Sequence, residues 1–221
     1  MTTCCEITSD IPHRQRRVLC VVLGLNAAMF VAEGVAGLLA HSTALLADSA
    51  DMLGDAIVYG FSLYAVGRGA RWQGRAALLK GGIMAFLGLG VLGEAGVKLA
   101  QGMVPTAPLM GGIGLLALAV NTCVLLFLWR HRGDDVNMRS AWLFSRNDVI
   151  ANLGVLLAAW GVALTGTSWP DVIVGLSIAI LFSLSAVQVI GAAARQLRQA
   201  AATGATPQSH TDESAKQARA P

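Results

Sequence analysis

Six apolar runs separated by short polar breaks account for nearly the whole chain, at residues 18–40, 43–66, 78–101, 109–129, 142–165 and 170–193. Each is about as long as the ~20 residues a helix needs to cross ~30 Å of hydrocarbon, and about twice the length of a barrel strand. At that depth no water satisfies free backbone groups, so an apolar run of this length must bond its own N–H and C=O groups as a helix. The pattern therefore predicts an all-α integral membrane protein, a six-transmembrane-helix bundle over residues 18–197. A short N-terminal segment, 1–17, precedes it. The stretch 198–221 turns polar and rich in Ala, Gln, Ser and Thr, and is expected to be a disordered tail because it has little apolar surface to bury.

Composition agrees with this, at 55% hydrophobic and only 13% charged over 221 residues. The basic residues cluster at Arg14, Arg16 and Arg17, at Arg68, Arg71, Arg75 and Lys80, at Arg130, Arg132 and Arg139, and at Arg195 and Arg198. The alternate loops, around His41, Pro105 and Ser168, contain no Lys or Arg. By the positive-inside rule both termini are expected in the cytoplasm. For a bacterial source the membrane is the inner (plasma) membrane. The net charge of +3 then belongs to loops lying against an anionic leaflet, and no nucleic-acid partner is implied. Cys4 and Cys5 fall on the reducing flank and Cys20 and Cys123 within apolar runs, which implies no disulfide framework.

Three aspartates stand in the second run, Asp48, Asp51 and Asp55. Intramembrane carboxylates are costly and mark functional sites by default. Asp51 and Asp55 are one helical turn apart and share a face, close enough to share a dication, and Asp48 approaches the same face. In the fifth run Asp148 follows Asn147 and precedes Asn152 by one turn, so that Asp148 and Asn152 also share a face. Two oxygen-bearing helix faces can close on one ion. No His, Ser or Cys stands at a spacing that would make a nucleophile and base with these carboxylates, which argues against an enzyme.

At these residues the sequence resembles the cation diffusion facilitator family of divalent metal cation efflux transporters. The second-span stretch HSTALLADSADMLGD, from His41 to Asp55, is similar to that family's S-x-x-L-L-A-D-x-x-(H/D)-x-x-x-D, with Asp51 and Asp55 at the ligand positions. The last two spans are similar as well, including Asp171 at the start of the sixth. The resemblance implies secondary active export of a divalent cation in exchange for protons, with the ion between the second and fifth helices, the metal as substrate and no cofactor. It supports Asp51, Asp55 and Asp148 as ligands. The family's remaining ligand falls on Phe144, which cannot coordinate a metal, so a fourth donor comes from Asn147, Asn152, Asp48, Ser145 or water, or does not exist. An oxygen donor set favours harder ions such as Mn²⁺, Fe²⁺ or Mg²⁺, with Zn²⁺ and Co²⁺ left open.

The resemblance also implies a cytoplasmic α/β module after the sixth span, which this chain ends too soon to contain; a short form is expected. A homodimer would then use transmembrane helices, with Gly81, Gly82, Gly88, Gly90, Gly93 and Gly96 of the third span allowing close approach. Packing within one chain is the other use for those glycines. Glu94 and Lys98, one turn apart, are expected to neutralise each other. Arg146 either snorkels to the surface or pairs with Asp148. Asn26 and Asn121 are expected as interhelical hydrogen-bond partners. Two further classes stay open: a transport-dead partner of a longer transporter, and a membrane metal buffer or sensor loaded through Cys4 and Cys5.

Overall fold

The structure, a computed structural model, describes residues 13–64, 70–130 and 136–204. They form six helices: α1 (His13–Ala40), α2 (Thr43–Tyr64), α3 (Ala70–Gln101), α4 (Ala107–Trp129), α5 (Val136–Thr165) and α6 (Trp169–Gly204). Among the described residues five helices are long and apolar enough to cross a membrane, and α2 is the one interrupted by three aspartates. Five of the helices each contain one of the apolar runs, and α2 covers the second run through Tyr64. The Cys4 and Cys5 pair lies outside the described residues.

Polarity is distributed inside out. Phe86 is 75% exposed and Val187 67%, on outward faces, whereas Asp48, Glu33 and Asn152 are 0% exposed. Apolar residues outside and carboxylates within are what a protein solvated by lipid requires. The helices pack as the pairs α1 with α2, α4 with α5 and α3 with α6; contacts of α1 with α4 and of α2 with α5 join the first two pairs into a four-helix bundle. The α3/α6 pair lies against it through α2 and α5.

The ends of the helices are set by local chemistry. His41 adopts a left-handed φ of 52° at the α1–α2 turn, where Ser42 N–H donates to Gly37 O at 2.9 Å. Ser42 then caps α2, its Oγ accepting from Leu45 N–H at 3.1 Å. Pro108 stands in the first turn of α4, where its missing N–H costs nothing. Gly166, at φ 63°, ends α5 with its N–H on Val162 O at 2.9 Å.

Two sequence expectations are revised. Helix α6 runs through Gly204, into the stretch expected to be disordered from residue 198, because its Ala and Gln residues are strong helix formers. The glycines of α3 fall into two groups. A Cβ on Gly81 would lie 2.4 Å from Ile190 and one on Gly88 2.6 Å from Ser183, so these are needed for packing on α6; Gly82, Gly90, Gly93 and Gly96 face open space.

Candidate metal centre

Three successive turns of α2 carry Asp48, Asp51 and Asp55 toward the interior of the four-helix bundle. Asp48 is 0% exposed and Asp55 8%, while Asp51 is partly buried. From α5, Asp148 is 1% exposed and Ser145 and Asn152 are fully buried. Asp148 feels the charges of Asp55, Asp51 and Asp48 of α2 and of Glu33 of α1, in that order. The buried carboxylates of α2 and α5 thus lie along one column in the bundle.

Above the Asp51, Asp55 and Asp148 level the column is closed by amides. Asn152 Nδ2 donates to Asp48 Oδ2 at 2.5 Å, and Asn121 Nδ2 of α4 donates to Asn152 Oδ1 at 2.8 Å. With its Nδ2 on Asp48, the Asn152 amide leaves its carbonyl for Asn121. Asn152 therefore serves as a bridge that orients Asp48 and ties α2, α4 and α5 together. Asn121 is the interhelical partner expected of it, whereas Asn26 turns back on its own helix, donating to Val22 O at 2.9 Å.

Several oxygens in the column lack a hydrogen-bond partner. Asp48 Oδ1, Asp55 Oδ2, Asp148 Oδ2 and both oxygens of Glu33 are buried and unpaired. Buried polar atoms in native proteins are satisfied as a rule, and exceptions mark functional positions. These lone pairs can accept a cation or protons. Among the described residues no three His, Cys, Asp or Glu side chains are gathered tightly enough to enclose an ion in this conformation.

The remaining candidates separate from this centre. Asn147 is exposed and stands away from the column, because it precedes Asp148 by a single residue and so points to a different side of α5. Phe144 is half-buried one turn before Asp148. Arg146 is exposed with its guanidinium 5.9 Å from the centre of the Trp142 ring, an interfacial cation–π contact rather than a partner for Asp148.

Lys80 was not recognised from sequence as part of this region. Grouped with the basic loop residues, it stands instead in the third turn of α3, half-buried, and acts electrostatically on both Asp55 and Asp51. An ionisable residue within the apolar 74–101 stretch was the available signal.

A second polar cluster closes the opposite end of α2. Asp171 Oδ1 accepts from Ser42 Oγ at 2.5 Å, and its carboxylate also takes Thr43 N–H at 2.8 Å and Ala44 N–H at 3.2 Å. A carboxylate on the first amides of a helix completes its orphan donors and complements its dipole. Gly175 permits this approach, since a Cβ there would lie 2.7 Å from the Thr43 carbonyl carbon. Lys98 is fully buried, pairs with Asp171 and donates to His41 O at 2.5 Å. Glu94 accepts instead from Thr43 Oγ1 at 2.7 Å, so the expected Glu94–Lys98 pair does not form. A buried ammonium needs full compensation, which the Asp171 carboxylate and the His41 carbonyl supply together, while an exposed pair along one helix gains only ~0.2–0.5 kcal/mol.

A helical bundle with apolar outward faces and a column of buried carboxylates carrying unpaired oxygens at its centre is an architecture suited to handling ions in a membrane. Residues 19–197 match the cation efflux transmembrane domain, and the chain belongs to that family. Similar proteins include the metal cation efflux system protein CzcD of Cupriavidus metallidurans, 27% identical over 187 residues covering 79% of this chain and 58% of CzcD. The cadmium, cobalt and zinc/H(+)-K(+) antiporter of Bacillus subtilis is 25% identical over 189 residues, 79% of this chain and 60% of that protein. The zinc transporter ZitB of Escherichia coli is 26% identical over 210 residues, 88% of this chain and 66% of ZitB. The chain thus spans about three fifths of the length of the first two relatives.

Proposed function

We propose that the protein exports a divalent metal cation from the cytoplasm in exchange for protons, binding the ion between α2 and α5 with Asp51, Asp55 and Asp148 as its protein ligands. The observation that carries this reading is the set of buried carboxylate oxygens without partners on the two facing helices. Protons and metal compete for the same oxygens, since a ligand must be deprotonated to coordinate. Metal binding on one side of the membrane and protonation on the other would then alternate at one site. The fourth donor in this reading is water or Ser145, because Asn152 is held between Asp48 and Asn121 and Asn147 faces outward.

Relatives named for cadmium, cobalt and zinc support a transition-metal dication as substrate, and the absence of an imidazole from the proposed ligand set favours harder members of that class. The basic clusters at the α1 start, the α2–α3 and α4–α5 connections and the α6 end support cytoplasmic termini in the plasma membrane. If the chain forms a homodimer, the open Gly82, Gly90, Gly93 and Gly96 side of α3 is the face available for it.

The test is metal-driven proton flux in liposomes holding the purified protein, with Mn²⁺, Fe²⁺, Co²⁺, Zn²⁺, Cd²⁺ and Mg²⁺ supplied in turn. Flux that vanishes in Asp51→Ala and in Asp148→Ala is expected. Flux that survives both substitutions would refute the site, and no flux from a folded protein with any ion would favour the transport-dead partner, for which Phe144 at a ligand position is the specific observation.

A further inference from the structure

We infer that Lys80 is a tethered counter-cation for Asp51 and Asp55, competing with the transported ion for their charge and so weakening its binding and hastening its release. The inference rests on the site proposed above.

The register of α3 places Lys80 beside α2. Gly74, Gly81 and Gly88 mark the side of α3 that packs on α6, against Leu197, Ile190 and Ser183. Met84 marks the side that packs on α2, its Cε lying 3.6 Å from where a Cβ of Gly54 would stand, next to Asp55. Lys80 is one helical turn from Met84 and therefore shares that α2-facing side. It is half-buried there, and its charge acts on both Asp55 and Asp51. A flexible four-carbon stem lets the ammonium follow the carboxylates as the helices move. The other lysine of α3, Lys98, is committed to Asp171 and the His41 carbonyl, and Arg75 is exposed, so neither competes with Lys80 for this position.

A carrier must bind its ion on one side and surrender it on the other. Three carboxylates in a low-dielectric bundle hold a dication tightly, and without compensation their mutual repulsion is severe in the unloaded state. A fixed positive charge beside two of them offsets that repulsion when the site is free and opposes the ion when it is loaded. Both effects raise Kd and speed release.

The experiment is direct binding of Mn²⁺ and of Zn²⁺ to the detergent-purified chain by calorimetry, beside flux in liposomes, for wild type, Lys80→Met, Lys80→Gln and Lys80→Arg. The neutral variants are expected to bind roughly ten-fold tighter, as removal of one nearby charge implies, and to turn over more slowly at saturating metal. Lys80→Arg keeps the charge and is expected to stay near wild type in both readouts. Two neutral variants guard against one that does not fold. Unchanged or weaker binding in a folded neutral variant, or a Lys80→Arg variant that behaves like the neutral ones, overturns the inference. Asp51→Ala and Asp55→Ala separate the two levels: if they abolish binding while neutral Lys80 variants do not tighten it, the site stands and Lys80 is not its counter-cation; if they leave binding intact, the site itself fails.

Discussion

Asp48 on α2 and Asn152 on α5 are joined by a 2.5 Å hydrogen bond inside the bundle, and the Asn152 carbonyl is in turn held by Asn121 on α4. This chain fixes the spacing of the two helices that carry the proposed ligands.

Asn152→Leu is expected to destabilise the protein by about 1–3 kcal/mol, because it strands a buried Asp48 oxygen and the Asn121 amide together. Thermal unfolding in detergent measures this. Asn121→Leu, which leaves the Asp48 contact in place, is expected to cost less, and equal losses would show that the Asn152 bridge is not the element that matters.

At the other end of α2, Lys98→Met leaves the Asp171 carboxylate buried without its counter-charge. A loss of about 3–5 kcal/mol is expected from breaking a buried pair on one side only. The double variant Lys98→Met with Asp171→Asn should recover a substantial part of that loss. A double variant no more stable than Lys98→Met alone would mean that the pair is not coupled.

Asn147 and Asp148 are neighbours in sequence with opposite surroundings, one exposed and the other 1% exposed. Asn147→Ala should leave metal binding and flux within about two-fold of wild type, the usual size of a surface change, whereas Asp148→Ala should abolish both. Loss of binding in Asn147→Ala would return that amide to the ligand set.

Phe144 lies one turn before Asp148 on α5, where the family resemblance expects a ligand. Phe144→His should add a borderline-soft nitrogen to the oxygen donors and shift preference toward Zn²⁺ over Mn²⁺, read as the ratio of their Kd values in calorimetry. An unchanged ratio would indicate that residue 144 does not reach the ion.

The six helices were determined by the sequence alone, because the length of an apolar run and the need to satisfy every backbone group in lipid leave a helix as the answer at each one. The shared face of Asp51 and Asp55 was equally legible, since helical periodicity places residues one turn apart on one side whatever surrounds them. What periodicity does not say is which neighbour that side meets. Lys98 could serve Glu94 on its own helix or Asp171 across the bundle, and only the approach of α6 over Gly175 brought the second within reach. That Asn152 bonds Asn121 of α4 as well as Asp48 is not visible in the spacing along α5, and Lys80 read as a loop cation until the packing of Met84 on Gly54 turned that side of α3 toward α2. Each of these outcomes depends on the rotation of one helix against another, which is set by the fit of side chains and glycines at the contact and is not written in the spacing along either strand of sequence.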